Sequence, residues 1–224
     1  MKFCHDPVIL EELEAETTSS GRSYMTPEGN QYPSITTCLS VLSRKSIMEW
    51  RKRVGEEEAN KISARAAGRG TRVHKMCEDY LNNCLDINKY TPADKQSFLD
   101  LQPILDANVG LIRGQELPLY SDYLGVAGRV DCVAEWDGRL SVVDFKTARK
   151  KKKKEWISNY FMQASAYCVM FEERTGIPID KIVILIAVDG EDPQLFVEKR
   201  DNYIEDCTRT IIKYKDEQKR FSKL

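Results

Sequence analysis

The chain has 224 residues, of which 42% are hydrophobic and 31% charged, with a formal net charge of −1. This length and content suit one packed globular domain, and no apolar run approaches the roughly 20 residues that a membrane span requires. The balanced charge excludes a global basic field, so any binding of nucleic acid depends on a local basic track.

The cysteines and the amino terminus indicate the compartment. Seven cysteines occur without any C-x-x-C pair, which favours neither a zinc ribbon nor an iron–sulfur cluster and is typical of reduced thiols in a cytosolic protein. The first residues, MKFCHDPVILEELEAE, are acidic and lack a long apolar core, so they resemble neither a signal peptide nor a transit peptide. We therefore expect a soluble, cytoplasmic protein.

The amino-terminal part carries the first predicted elements. Residues 1–33 are largely polar and rich in Gly, Ser and Thr, which predicts a loop or partly ordered arm. Ser34 and Thr36 precede an apolar periodic run over 39–54 that predicts a helix. Either residue is a natural helix N-cap, and the alternative is that Tyr32, Ser34 and Thr36 contact a phosphate at the helix start, where free N–H groups favour anions.

A helical region is predicted to continue to residue 108. A charged helix over 56–67 is followed by glycines at 68 and 70, which are expected to loosen or start a helix. His74 lies on or beside the apolar face of the next helical pattern. A lone histidine in such a position is usually a core or boundary residue, and metal ligation is the alternative. Residues 95–108 predict a further helix.

The centre of the chain predicts a hairpin. The dipeptide Asp137-Gly138 separates two β-rich runs, 126–136 and 139–147, and is typical of a two-residue type I′ turn. In such a hairpin the numbers of paired residues have a constant sum, so Asp131 falls directly opposite Asp144. Opposed like charges are destabilising, and a divalent cation offsets the repulsion because it prefers carboxylate oxygens.

A lysine is predicted on the same face of the hairpin as the two acids. Strand alternation places Lys146 on the face of Asp144, where an ammonium can orient an attacking water or hold a developing negative charge. The simpler alternative is a surface hairpin whose acids face solvent. Both strands are apolar on both faces, however, as expected of a covered strand inside a sheet, where charges need a reason.

The strand and the loop next to the hairpin carry further polar residues. A strand predicted over 109–121 contains Glu116, for which a solvent-facing edge position is one interpretation. Arg149 and the run Lys150–Lys154 follow the hairpin. Such a run is most often a solvated loop or a nuclear-import signal, and the alternative is contact with a phosphate backbone.

The carboxy-terminal part returns to alternating elements. A helix predicted over 156–175 makes Gln163 and Tyr167 neighbours on one face. Strands are predicted over 181–188 and 194–199, and an amphipathic helix over 202–221 closes the chain. The single domain thus divides into an arm (1–33), a helical region (34–108), a sheet core (109–200) and a closing helix (201–224).

Five motifs in order resemble those of PD-(D/E)xK nucleases of the RecB-like branch. They are Gly70-x-x-x-His74, Glu116, Gly128-x-x-Asp131, Asp144-x-Lys146-Thr147 and Gln163-x-x-x-Tyr167. The segment YPSIT also resembles the opening of the mitochondrial genome maintenance exonucleases and their phage relatives. The resemblance implies an α/β fold: a restriction-endonuclease-like mixed central β-sheet flanked by helices, with an N-terminal helical region.

The resemblance also implies a metal-dependent deoxyribonuclease, most similar to compact exonucleases that act on single-stranded DNA ends. It implies that Mg²⁺ or Mn²⁺ is held by His74, Asp131, Asp144 and the Phe145 carbonyl, with no iron–sulfur cluster. Glu116 becomes a third carboxylate of the site, Lys146 a catalytic residue, and Gln163 and Tyr167 strand-positioning residues. Contacts to DNA are expected from Ser34, Thr36, Arg69, Arg72, Thr147, Arg149, Lys150, Lys151, Lys152 and Lys153.

Two alternatives of other kinds stay open at this point. One is an endonuclease of the same superfamily, and the other is a DNA-binding module that does not cleave. The chain contains no G-x-x-x-x-G-K-[ST] motor motif, so we expect any unwinding to come from a helicase or recombination partner. If a phage encodes the chain, the expected location is the host cytoplasm.

Overall fold

The structure, a computed structural model, describes residues 2–221. An amino-terminal sheet contains three strands, β1 (Glu14–Thr18), β2 (Gly21–Met25) and β3 (Gln31–Pro33). Four helices follow, namely α1 (Ile35–Leu39), α2 (Arg44–Val54), α3 (Glu56–Leu81) and α4 (Pro92–Asn108). The rest comprises β4 (Val109–Ser121), β5 (Val126–Trp136), β6 (Arg139–Ala148), α5 (Ser158–Thr175), β7 (Lys181–Val188), β8 (Gln194–Lys199) and α6 (Ile204–Phe221).

The predicted mixed α/β fold is confirmed. The central sheet has the order β4-β5-β6-β7-β8, and only β6 and β7 run parallel. Helix α5 connects those two strands, since parallel neighbours need a crossover. Helices α3 and α4 cover one face of the sheet, and α5 covers the other with α6 packed on it. No helix among residues 2–221 is long and apolar enough to cross a membrane.

The hairpin at the centre has the predicted turn and register. Asp137 and Gly138 have φ values of 50° and 70°, as a type I′ turn requires. Pairing runs from Trp136↔Arg139 to Cys132↔Val143 and stops one residue short of Asp131 and Asp144. Beyond that point β6 continues along β7, whereas β5 continues along β4. The two strands of the hairpin therefore separate at the two acids, and the prediction that Asp131 pairs directly with Asp144 is wrong.

The prediction of a loop or arm over residues 1–33 is wrong for residues 14–33, and residue 1 lies outside the described residues. Strands β1, β2 and β3 form an antiparallel sheet. Its strands are short and mostly exposed, so the local sequence lacks the apolar pattern of a buried strand. Tyr24 and Leu13 supply the missing burial, because they pack with Tyr120 and Ala127 of the central sheet.

Two predicted helix boundaries are also wrong. Helix α3 runs without a break through Gly68 and Gly70, because one face of it is held by the central sheet and by α4. The helix predicted over 39–54 begins only at Arg44 (α2), because a 3₁₀ turn at Ser40–Leu42 separates it from the short α1, which starts earlier, at Ile35. The strands predicted over 109–121, 181–188 and 194–199 are confirmed with their boundaries.

Candidate active site

The separation of β5 from β6 opens one side of the sheet into a cleft of about 600 Å³. Helix α3 contributes Gly70 and His74 to the lining, and β4 and β5 contribute Glu116 and Asp131. Helix α5 contributes Gln163 and Tyr167, and Arg22, Tyr24, Ser34 and Thr36 close the cleft from the amino-terminal part. Residues of all five predicted motifs thus meet at or beside one cleft.

Asp131 lies at the junction of α3, β5 and β6. Its Oδ2 is 3.3 Å from Nδ1 of His74 and accepts a hydrogen bond of 2.8 Å from the Phe145 N–H. Burial raises the pKa of Asp131, but the hydrogen bond from His74 and the charges of His74 and Lys146 outweigh it, so the pKa is lowered overall. The imidazole therefore lies beside one of the two acids, Asp131.

His74 responds in the opposite sense. Burial lowers the pKa of its imidazole. The hydrogen bond to Asp131 and the negative charge of that residue raise the pKa by more than burial lowers it, so the net change is upward. The ring also packs edge-on against Phe145, with centroids 6.2 Å apart. Asp131 and Phe145 therefore fix the orientation of His74.

Asp144 and Lys146 form a buried pair beside Asp131. Lys146 Nζ contacts Asp144 Oδ2, and Asp144 is 0% exposed. Apart from Lys146, no described residue donates a hydrogen bond to the carboxylate oxygens of Asp144. Burial, together with the negative charge of Asp131, raises the pKa of Asp144 to about 6 although the ammonium opposes this. The site thus holds more acid than its own residues neutralise.

The charge of Lys146 is well supported. Burial lowers the pKa of its ammonium, but the charges of Asp144 and Asp131 outweigh burial and raise the pKa overall. The ammonium also lies 5.3 Å from the centre of the Tyr160 ring, a cation–π contact. Lys146 is therefore a fixed cation beside the cleft.

Glu116 is the third carboxylate near the acids. Its neighbours pair as Gln115↔Cys132 and Leu117↔Val130, so the register sets Glu116 opposite Asp131. Burial and the charges of Asp131 and Glu78 raise its pKa to about 7. Its backbone has φ 49°, a left-handed conformation that non-glycine residues adopt at a cost, and its carbonyl accepts a hydrogen bond of 2.6 Å from Arg129.

Gln163 and Tyr167 form the wall on the α5 side. The Gln163 amide donates a hydrogen bond of 3.4 Å to the Tyr167 hydroxyl, and both residues line the cleft. A Cβ added to Gly128 would lie 2.8 Å from Cε1 of Tyr167. The absence of a side chain at Gly128 therefore allows the tyrosine ring to lie directly on β5.

The residues predicted to bind DNA fall into three groups. Ser34 caps α1 by accepting a hydrogen bond from the Thr37 N–H, and both Ser34 and Thr36 line the cleft. Arg69 and Arg72 do not line it, since Arg69 pairs with Asp189 at 2.5 Å and Arg72 pairs with the buried Asp94 at 2.7 Å. The third group is the segment that follows β6.

The segment after β6 lies outside the cleft lining. Thr147 lies near Gly70, because its Oγ1 is 3.7 Å from the position that a Cβ added to Gly70 would take. Arg149, Lys150, Lys151 and Lys153 are exposed. The backbone of Lys152 exchanges two hydrogen bonds with the Gln194 side chain, at 2.7 and 2.9 Å, which anchors the lysine run to β8.

The cleft also contains residues that the sequence analysis did not select. Lys75 and Glu78 follow His74 on α3, and Glu78 lies four residues on, so helical periodicity could have identified it. Arg129 stands two residues before Asp131, where strand periodicity could have identified it. Arg22 and Tyr24 gave no such signal, because their segment was predicted to be a loop.

The donor chemistry of the site fits a divalent cation. An imidazole, two carboxylates and a backbone carbonyl such as that of Phe145 are groups that Mg²⁺ and Mn²⁺ accept. The buried carboxylate of Asp144 has no partner of opposite charge among the described residues other than Lys146. Within residues 2–221, no three His, Cys, Asp or Glu side chains are already grouped to hold a metal ion. Asp131 and Asp144 instead face His74 and Lys146.

The mixed sheet and the two acids next to a lysine are the features expected of a nuclease of the PD-(D/E)XK type. A family model described as PD-(D/E)XK nuclease superfamily matches residues 50–206, which is more than half of the chain. The chain belongs to this superfamily, and the resemblance noted in its sequence is confirmed.

Particular relatives are known as exonucleases. The chain is 26% identical over 132 residues to mitochondrial genome maintenance exonuclease 1 of Homo sapiens, covering 55% of this chain and 38% of the human protein. It is 29% identical over 129 residues to the protein of that name from Xenopus tropicalis, covering 54% and 37%. The chain spans less than half the length of these two relatives. The solved structure of SSO0001 aligns with a TM-score of 0.46 and 15% identity over 83% of this chain and 75% of that one.

Proposed function

We propose that the chain is a metal-dependent deoxyribonuclease that hydrolyses phosphodiester bonds as an exonuclease on single-stranded DNA ends. The observation that carries this proposal is the meeting of His74, Asp131, Asp144 and Lys146 where β5 separates from β6. Buried charges of this kind are costly and are typical of sites whose residues act on a ligand.

The proposed cofactor is Mg²⁺ or Mn²⁺, held by His74, Asp131, Asp144 and the Phe145 carbonyl. A divalent cation supplies a Lewis acid that lowers the pKa of a bound water and polarises the scissile phosphate. A nitrogen ligand among oxygens suits Mn²⁺ well. Lys146, kept protonated by the acids around it, orients the nucleophile or stabilises the negative charge that develops on the phosphate.

The other cleft residues are proposed to position the strand. Gln163 and Tyr167 lie on the α5 wall, where an amide and a ring can contact a nucleotide. Ser34 and Thr36 offer hydroxyls from the opposite part of the lining. The exposed cations of 149–153 are proposed to contact phosphates outside the cleft, whereas the ion pairs of Arg69 and Arg72 favour a structural role for those two residues.

The exonuclease activity is proposed because the named relatives are exonucleases. The preference for single strands, a role in replication, recombination or repair, and a helicase or recombination protein as partner remain predictions from the sequence resemblance. The cytoplasmic location likewise remains a prediction.

Digestion of labelled DNA tests the proposal. End-labelled linear single strands should shorten progressively with Mg²⁺ or Mn²⁺ and stay intact in EDTA, and circular single strands should survive. Cleavage of the circles would instead identify an endonuclease. Binding without cleavage under every metal condition would identify a non-cleaving module. A labelled duplex in the same series measures the strand preference.

A further inference from the structure

The amino-terminal sheet forms a wall of the active-site cleft although it lies outside the part matched by the family model. The match covers residues 50–206, whereas β1, β2 and β3 end at Pro33. Arg22 and Tyr24 of β2 nevertheless line the same cleft as His74 and Asp131. Part of the cleft therefore comes from a segment to which the superfamily match assigns no role.

The backbone of Arg22 is held firmly against the rest of the protein. Its N–H donates a hydrogen bond of 3.0 Å to Thr37 Oγ1, and its carbonyl accepts one of 2.7 Å from the Ser34 N–H. Ser34 in turn forms an isolated parallel β-bridge with Ala127 of β5, the residue before Gly128. Gly21 has φ +124°, and an added Cβ there would collide with the Thr37 side chain, so this junction has no spare room.

The side chain of Arg22 is the one basic group of the cleft that has no ion pair among the described residues. The cleft lining contains four basic side chains, which are those of Arg22, His74, Lys75 and Arg129. Lys75 pairs with Glu78 and Asp79, Arg129 with Glu12, and His74 with Asp131.

Arg22 is exposed, and its guanidinium lies 5.1 Å from the centre of the Tyr24 ring. The ring itself is 3% exposed, so it is a fixed surface under the guanidinium. Arg22 is thus a cation with a fixed backbone and free donors.

We propose that Arg22 binds a phosphate of the DNA strand within the cleft, with the Tyr24 ring orienting its guanidinium. A guanidinium with unpaired donors matches a phosphate in charge and geometry. The acids of the cleft repel a polyanion, so an unpaired cation in the same lining offsets that repulsion for one phosphate. This inference rests on the proposed nuclease function and adds a substrate-binding residue to it.

Binding of single-stranded DNA to the full chain carrying Lys146→Ala measures the contribution without cleavage. Added to that background, Arg22→Ala should raise Kd about tenfold and reduce the salt slope of log K by about 0.7, the value for one phosphate contact on a single strand. Arg22→Lys should retain most of the affinity. Lys199→Ala, on the far edge strand β8, removes one exposed charge outside the cleft and should leave Kd within twofold.

Two substrates and a stability control complete the test. Oligonucleotides with a 5′-phosphate or a 5′-hydroxyl are compared, because loss confined to the former assigns a terminal phosphate and loss on both assigns an internal one. Arg22→Gln and Arg22→Ala should unfold at the wild-type temperature. A Kd and salt slope for folded Arg22→Ala equal to those of Lys199→Ala would overturn the proposal. Wild-type protein that binds DNA through Arg22 but never cleaves it would overturn only the nuclease function.

Discussion

Glu116→Gln should stabilise the metal-free protein at neutral and alkaline pH. The pKa of Glu116 is raised from 4.5 to about 7, first by burial and then by the charges of Asp131 and Glu78. One pKa unit corresponds to about 1.4 kcal/mol, which gives a cost of ionisation near 3 kcal/mol, and solvent screening of this half-buried group reduces it to about 1 to 2 kcal/mol. Glutamine has the same shape and carries no charge, so the variant avoids this cost.

The sign follows from the two states. Below pH 4.5 the carboxyl is protonated in both the folded and the unfolded chain, and the two proteins should be equally stable. As the pH rises from 4.5 to about 7, the unfolded chain ionises first, so the wild type loses stability while the variant does not. Above pH 7 the difference in the free energy of unfolding should be constant.

Urea unfolding in EDTA at pH 4.5, 6 and 8 measures this difference. Glu155→Gln, which changes an exposed glutamate outside the cleft, is the matched control. Adding Mn²⁺ should stabilise the wild type more than Glu116→Gln, because a cation near the acids removes the cost of ionisation. A variant no more stable than wild type at pH 8, or a difference that does not change between pH 4.5 and 8, would refute the reasoning.

Three further substitutions test the site and its frame. Lys146→Ala should reduce cleavage of single-stranded DNA at least a hundredfold while circular dichroism and DNA binding are retained, and turnover like wild type would remove its catalytic role. Gly128→Ala should lower the free energy of unfolding by about 1 to 3 kcal/mol, because the added Cβ would lie 2.8 Å from the Tyr167 ring. In a Tyr167→Ala background, Gly128→Ala should cost less than it does in the wild type, and equal costs in the two backgrounds would contradict the contact. Arg72→Ala should lower the urea midpoint of unfolding, because it leaves the buried carboxylate of Asp94 without its cation. Unchanged stability with a tenfold loss of DNA affinity would restore its predicted DNA-binding role.

The sequence by itself determined the hairpin and the positions of the acids along its strands, because both follow from local rules. A two-residue turn at Asp137-Gly138 fixes which residues oppose one another, and the observed pairs from Trp136↔Arg139 onward follow that rule. Strand periodicity also sets Lys146 next to Asp144. The order of the motifs predicted the superfamily and the sheet, since each motif is a short run whose chemistry can be recognised without its neighbours.

Tertiary structure alone decided the shape and the remaining charges of the cleft. The separation of β5 from β6 depends on which other strand each one pairs with, and nothing near Asp131 in the sequence encodes it. Arg72 looks free in the sequence, but it meets Asp94 on another helix.

The amino-terminal sheet is the clearest case. Its strands are too short and polar to be recognised alone, and they owe their order to Tyr24 packing on the central sheet. Contacts between distant residues therefore converted an apparent loop into the wall that carries Arg22.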